Sequence, residues 1–198
     1  MSDQSLDKEF YDLNDWQLAA LCAALSERMF PNFALFSRLM EFGDAQQMRR
    51  ILDGVWDYLG NSGAKMNFEV QLDKVEANMP DLDEFEMYGA SPALDAVVAL
   101  FSTLNTVIAS DASEVVNVAN MSRESVATFI EMTADDQMSD DELVRYINTH
   151  ELMQQEDDFQ AVALEILQDD ISRSEALSEL REVARNDGYS NIGICDNE

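Results

Sequence analysis

Apolar residues recur at α-helical spacing along almost the whole chain, and glycine and proline stand mainly at the joints between these segments. Strand patterns, in which apolar and polar residues alternate strictly, are nearly absent. The chain has 198 residues, of which 46% are hydrophobic, and can bury a sizeable core. We therefore predict an all-α protein, a single compact domain of about eight helices over residues 1–198 with orthogonal or bundle-like packing. A semi-independent C-terminal helical half from about residue 111 is a variant of this prediction.

Capping residues and helix breakers predict where individual helices begin. The segment "WQLAALCAALSERM" has little polar surface, so its helix, capped by Asp15, is expected at the centre of the fold. Pro31 predicts the start of a second helix, because proline suits the first helical position. The tail "YSNIGICDNE" is expected to fold back and bury Ile192 and Ile194, or else to pair as an extended strand. Further N-caps are predicted at Asp44, Asn67, Asp111 and, in a capping box with Glu142, Ser139.

The net charge of -28, from 40 acidic and 12 basic side chains, restricts the classes of partner. Such a field repels phosphate backbones, so we expect no nucleic-acid partner. A basic protein is the natural partner, although a solvated acidic surface that maintains solubility explains the same charge. The first ten residues lack a secretory signal pattern, and no segment reaches the length of uncharged apolar residues that spans a bilayer. We expect a cytoplasmic protein with no membrane partner; its oligomeric state is open, and a homodimer is compatible with the sequence.

Motifs for catalysis and for cofactor binding are missing. His150 is the single histidine, and Cys22 lies in the Ala/Leu-rich helix, where it is expected to be a small core residue. Glycine-rich nucleotide-binding patterns and the nucleophile-elbow pattern do not occur. The segment "DLDEFEMYGASPALD" begins like a calcium loop, but Phe85 replaces the third ligand and Glu86 the required glycine. We predict no catalytic residue, no metal and no cofactor, and we lean towards a protein that is not an enzyme.

Asp95 is the one carboxylate in the apolar segment that begins at Pro92. Ser91 is predicted to cap this helix and Pro92 to occupy its first position, which places Asp95 near the positive end of the helix dipole. A buried carboxylate needs a hydrogen-bond or ionic partner, and the sequence does not name one. A structural role is one interpretation of Asp95. The other is a ligand or active site in an interhelical pocket, formed by Asp95 and Tyr88 with Arg49 or Arg50.

The adjacent pair Arg49 and Arg50 is notable in so acidic a chain. It is a candidate anion anchor, expected on the helix face opposite the apolar stripe that includes Trp56. The alternative is pairing with Asp53 and other acids of the same surface, which contributes little stability.

Seven segments follow one another between residues 27 and 194: "ERMFPNF", "FGD", "RRILDGVW", "NFEVQL", "YGASPALDA", "MSDDEL" and "SNIGI". Taken together, they resemble the YjaG family of bacterial proteins, and the match covers nearly the whole chain, from about residue 15 to residue 194. The resemblance implies a compact all-helical cytosolic protein. The family is a domain of unknown function, so the resemblance supplies no catalytic residue for any position of this chain.

Our leading functional hypothesis is a non-enzymatic protein that binds or regulates another macromolecule, because nucleophile and base pairs are missing and the surface is strongly acidic. The alternative is a small-molecule-binding protein or enzyme with a carboxylate site around Asp95. Mimicry of DNA by surface carboxylates is a third hypothesis, which sequence alone does not test.

Overall fold

The computed structural model describes residues 8–61 and 65–196. Residues 1–7, part of the segment that lacks a secretory signal pattern, lie outside the described residues. The described residues contain eight α-helices of nine or more residues and no β-strand beyond an isolated bridge between Tyr189 and Cys195, which confirms the predicted all-α fold. The helices are α1 (Asp15–Met40), α2 (Ala45–Leu59), α3 (Phe68–Glu76), α4 (Ala90–Ile108), α5 (Ala112–Thr133), α6 (Asp140–Thr149), α7 (Glu151–Gln168) and α8 (Arg173–Arg185).

Helix α1 corrects two predictions about the first part of the chain. Its N-cap is Asn14, whose side chain forms a capping box with Gln17, so Asp15 is the first helical residue and not the cap. Pro31 lies inside this 26-residue helix and does not begin a second one. Proline removes one backbone hydrogen bond from a helix. Burial of Met29 and Phe33 on either side of Pro31 holds both halves of α1 against the core.

Helices α1 and α4 pack against each other at the centre of the main core, as predicted for the Ala/Leu-rich segment. Helices α2, α5, α7 and α8 also contact α1. Helix α4 is long and apolar enough, by length and composition alone, to cross a membrane, but more than half of its most apolar window is buried inside the fold. Packing against α1 therefore explains the apolar character of α4.

Most of the predicted caps are confirmed. The side chains of Asp44 and Asn67 accept hydrogen bonds from the backbone at the starts of α2 and α3, and Asp111 does so at the start of α5. Ser139 and Glu142 form the predicted capping box at the start of α6. These interactions connect residues two or three positions apart, which is why the sequence reveals them.

The C-terminal tail folds back onto the helices, as expected. Ile192 is buried in a second, smaller core cluster with Val126 and Ile130 of α5, and Ile194 packs against that cluster. The amide of Asn191 donates to the backbone oxygen of Ser122 at 3.2 Å. Residues 190–196 therefore belong to the packed fold.

Candidate functional site

The structure brings Tyr88 and Asp95 together at one cavity of about 180 Å³ between the start of α4 and the middle of α5. Pro92 and Met121 contribute apolar parts of its wall. The remaining lining side chains all bear oxygen: Tyr88, Ser91, Asp95, Glu124, Ser125 and Thr128. The predicted interhelical pocket around Asp95 therefore exists as a cavity, and helix α5 supplies half of it.

The start of α4 differs from the prediction. The helix begins at Ala90, its N-cap position is Gly89 in right-handed helical geometry, and no side chain caps it. Ser91 is therefore a helical residue and not the cap. Asp95 lies in the second turn of α4, where the helix dipole, which acts mainly within the first turn, stabilises a negative charge less than the predicted position would.

Asp95 is half-buried and its carboxylate accepts a hydrogen bond from the hydroxyl of Ser125 on α5. Burial raises the pKa of Asp95 above its ordinary value of 3.8, the Ser125 hydrogen bond opposes this, and the charge of Glu124 raises the pKa further. Asp95 is therefore a carboxylate held by a neutral donor, in surroundings that disfavour its ionised form.

The Tyr88 side chain lines the same cavity and carries a hydroxyl group without an identified partner. Its hydroxyl oxygen is buried and has no hydrogen-bond partner among the described residues. Burial and the neighbouring charge of Asp95 raise the pKa of Tyr88 to about 12. The ring lies 6.1 Å from that of Phe129, centroid to centroid, so packing holds the hydroxyl in place. A buried hydroxyl without a partner is unusual in folded proteins.

Arg49 lies elsewhere, in a cluster around the buried carboxylate of Glu27 on α1. Its two terminal nitrogens donate to the two Glu27 oxygens at 2.8 and 2.7 Å, a bidentate pair. The indole nitrogen of Trp56 donates to the same carboxylate at 2.9 Å. Arg49 therefore lies beside Trp56, and its predicted position on the opposite face of α2 is wrong.

Helix α8 adds two more arginines to this cluster. Arg185 donates to Glu27 at 3.2 Å, and Arg181 lies 3.7 Å from Glu27 and also binds Asp53. The predicted pairing of Arg49 with Asp53, at 3.0 Å, is confirmed as a secondary contact. Burial alone would raise the pKa of Glu27, but the hydrogen bonds and charge of Arg49, with Arg181 and Trp56, lower it below the ordinary 4.5. The cluster joins α1, α2 and α8 around one ionised carboxylate.

A groove of about 680 Å³ runs beside this cluster. Trp56, Arg181 and Arg185 line it, but Asp57 and Glu182 line it as well. Because carboxylates balance the arginines there, the groove lacks the one-sided positive charge that an anion site requires.

Arg50, the other candidate of the pair, is exposed, and its nearest carboxylate contact is Asp44 at 3.9 Å. The pocket beside Asp95 is lined by neither Arg49 nor Arg50. The structure therefore unites two of the four candidate residues, Tyr88 and Asp95, and separates them from the arginine pair. The binding roles of all four stay predictions.

His150 and Cys22 both have structural positions. His150 is the N-cap of α7, where its Nδ1 accepts from the backbone nitrogen of Leu152 at 3.2 Å. Cys22 is buried in the core as predicted, and burial raises the pKa of its thiol to about 11. In the described part of the chain, no group of three or more His, Cys, Asp or Glu side chains is arranged to hold a metal ion.

Glu27 and Ser125 were missed by sequence reasoning. Glu27 had a detectable signal, because it is an acidic residue in the segment expected to be buried at the centre of the fold. Ser125 had none, since nothing near it in the sequence indicates that it faces Asp95 across two helices.

The sequence matches the model of a family described as a protein of unknown function, DUF416, over residues 5–195. The uncharacterised YjaG proteins of Salmonella typhimurium and Escherichia coli are each 40% identical over 186 residues, 92% of both chains. An uncharacterised protein of Haemophilus influenzae is 34% identical over 192 residues, 96% of both chains. The crystal structure of a DUF416 family protein from Shewanella baltica superposes with a TM-score of 0.86 at 34% identity, covering 96% of this chain and 97% of that one. The chain therefore belongs to the DUF416 family, which includes YjaG, as the resemblance implied.

Proposed function

We propose that this protein is a non-enzymatic binding protein whose partner is a basic protein. The pairing of the charged side chains supports the proposal. Among the described residues, seven of the nine arginines pair with carboxylates, and six carboxylates serve all seven. The seven are Arg28, Arg38, Arg49, Arg50, Arg123, Arg181 and Arg185.

Most of the other carboxylates in the described part of the chain are exposed. Their field is therefore weakly offset by the arginines, several of which are held at buried carboxylates such as Glu27 and Glu156. A surface with this one-sided charge attracts a basic protein and steers its approach, and salt weakens both effects.

The surface we propose for docking is formed by the first half of α6 and the residues before it, and we call residues 132–144 the α6 surface. Helix α6 lies entirely within the described residues, and none of its side chains is buried. Met132 and Val144 are 58% and 57% exposed, and the carboxylates of Asp136, Asp140 and Asp141 are exposed near them in the chain. Apolar side chains among carboxylates complement a basic amphipathic segment of the partner.

The test is a pull-down with the full tagged chain from native bacterial lysate, at moderate and at high salt. We expect recovery of a specific basic protein at moderate salt and its loss at high salt. Replacing Asp136, Asp140 and Asp141 together by asparagine removes three charges from the α6 surface and should abolish recovery. Circular dichroism checks that α6 remains folded.

A matched control removes three exposed charges from another loop, by the replacements Asp83→Asn, Glu84→Gln and Glu86→Gln. This control should recover the partner nearly as well as the unmodified chain. Failure to recover any salt-sensitive basic partner contradicts the proposed function, and equal loss with both triple variants contradicts the α6 surface as the docking site.

A further inference from the structure

The polar part of the lining of the cavity beside Asp95 is of one chemical kind. Six of its side chains bear oxygen, two of these are the carboxylates of Asp95 and Glu124, and no lysine, arginine or histidine is among its lining residues. Hydroxyl and carboxylate oxygens accept hydrogen bonds, and the two carboxylates add negative charge. The group that complements such a lining is a cation that carries several N–H donors.

A divalent metal ion fits this lining less well. Calcium takes six to eight oxygen ligands and relies on several carboxylates, and magnesium demands a near-ideal octahedron. In the described part of the chain, no group of three or more His, Cys, Asp or Glu side chains is placed to hold a metal ion, at this cavity or elsewhere. A primary ammonium group has three donors and one positive charge, and two carboxylates with one further acceptor satisfy it.

Tyr88 adds a second polar group without an identified partner at this cavity. Its side chain lines the cavity, and its hydroxyl oxygen is buried without a hydrogen-bond partner among the described residues. Native proteins rarely leave a buried polar group unpaired. A ligand with an N–H donor would pair this oxygen.

Asp95 has no lysine, arginine or histidine beside it among the residues that line the cavity. Its identified hydrogen-bond donor is the neutral hydroxyl of Ser125. The negative charge of Glu124 repels the Asp95 carboxylate. A cation placed between Asp95 and Glu124 would compensate both carboxylates. The volume of about 180 Å³ is several times the ~30 Å³ that a water molecule occupies in the liquid, so a short aliphatic chain fits with the ammonium group.

We propose that this cavity binds the primary ammonium group of a small alkylamine. The ammonium group donates to the Asp95 carboxylate, the Tyr88 hydroxyl and Glu124. The aliphatic chain packs against Pro92 and Met121, the apolar part of the wall. This site is separate from the α6 surface and does not depend on the proposed basic partner.

Titration calorimetry of the full chain with butylamine tests the proposal. We expect saturable binding of butylamine and none of butanol, which lacks the charge, or of tetramethylammonium, which lacks N–H donors. N-acetyl-lysine amide is the second amine probe. Tighter binding of this probe indicates that the site takes a lysine side chain, and tighter binding of butylamine indicates a free amine. Absence of binding of either amine at tens of millimolar overturns the proposal.

Variants locate the binding. Asp95→Asn should weaken the binding of butylamine by about tenfold or more, because it replaces a charge-assisted hydrogen bond by a neutral one. Tyr88→Phe should weaken the binding of butylamine several-fold, and this replacement leaves the charge of the cavity lining unchanged. Asp73→Asn, an exposed carboxylate outside the cavity, removes the same charge and should bind like the unmodified chain. Equal affinities in all three variants would mean that the amine binds elsewhere.

Discussion

Glu27 and Asp95 are both carboxylates on apolar helices of the same core, but their surroundings differ. Among the described residues, Glu27 accepts four hydrogen bonds, from Arg49 twice, Trp56 and Arg185. From the same part of the chain, Asp95 accepts one, from the neutral hydroxyl of Ser125. The pKa of Glu27 is lowered despite its burial, whereas burial raises that of Asp95. Burial alone therefore does not decide the state of a carboxylate; the charge and number of its donors do.

The difference also separates structural from functional interpretations. Three arginines from two other helices converge on Glu27, so this carboxylate holds α1, α2 and α8 together. Asp95 lies at a cavity and lacks an identified cationic partner among the residues that line it. A carboxylate that the fold pairs with several cations is part of the fold, and one that lies at a cavity without a cationic partner in its lining is open to a ligand.

Glu27→Gln should give the largest effect in this comparison. The amide keeps the shape of the side chain, but it removes the negative charge and directs an N–H group at one of the arginines, which cannot accept. Removing one member of a buried ion pair costs about 3–5 kcal/mol. We expect that loss in the free energy of unfolding by urea at neutral pH, with circular dichroism as the signal.

Asp53→Asn is the control for Glu27→Gln, because Asp53 contacts Arg49 and Arg181 but is 44% exposed. It should cost less than about 1 kcal/mol. The deficit of Glu27→Gln should also shrink in acid. The pKa of Glu27 is lowered in the folded state, so its contribution is present above the ordinary pKa of 4.5 and is lost as the pH falls through the folded value. A deficit independent of pH would contradict the role of the charge.

Trp56→Phe should give the next largest effect. The phenyl ring lacks the N–H that donates to Glu27 at 2.9 Å and leaves space at a buried position. We expect a loss of about 2–3 kcal/mol in the same urea measurement. Trp16→Phe is the matched control, since Trp16 packs under Arg173 at 4.9 Å without a comparable role at Glu27, and it should cost less than about 1 kcal/mol. Similar losses in both variants would mean that ring size, and not the hydrogen bond, dominates.

Asp95→Asn should raise the free energy of unfolding, whereas Glu27→Gln and Trp56→Phe lower it. The pKa of Asp95 is raised in the folded state, so its ionisation opposes folding: the penalty is absent below the ordinary pKa of 3.8 and develops as the pH rises through and above that value. We expect the variant to be more stable by about 1 kcal/mol at neutral pH and equal to the unmodified chain in acid. Urea unfolding between pH 3 and 8 measures this difference. A destabilised variant at neutral pH would place Asp95 with Glu27 among the satisfied carboxylates.

The sequence predicted the local parts of this molecule well. The caps at Asp44, Asn67 and Ser139 are interactions between residues three positions apart, and each is confirmed. The helical fold follows from apolar spacing, and the location of Cys22 in the core follows from its neighbours. Both kinds of prediction depend on information that lies within one or two turns of helix.

Predictions that needed tertiary contacts were less accurate. Pro31 indicates a helix start by local rules, but burial on both sides keeps α1 continuous. Arg49 has Asp53 four residues away, yet its principal partner, Glu27, lies 22 residues earlier. The partner of Asp95, Ser125, lies 30 residues later on another helix. Such pairings are fixed by how helices pack, and no local pattern specifies them.

Tyr88→Phe should give the smallest change in stability. It removes a buried hydroxyl that lacks a partner and keeps the ring against Phe129, so neither a hydrogen bond nor packing is lost. We expect the free energy of unfolding to change by less than about 0.5 kcal/mol in the absence of amine. With butylamine added, the unmodified chain should gain more stability than the variant, because a ligand stabilises the state that binds it more tightly. A loss above about 1 kcal/mol without amine would mean that a bound water already pairs the Tyr88 hydroxyl. The contrast between Glu27, whose partners come from the fold, and the cavity at Asp95 would then weaken.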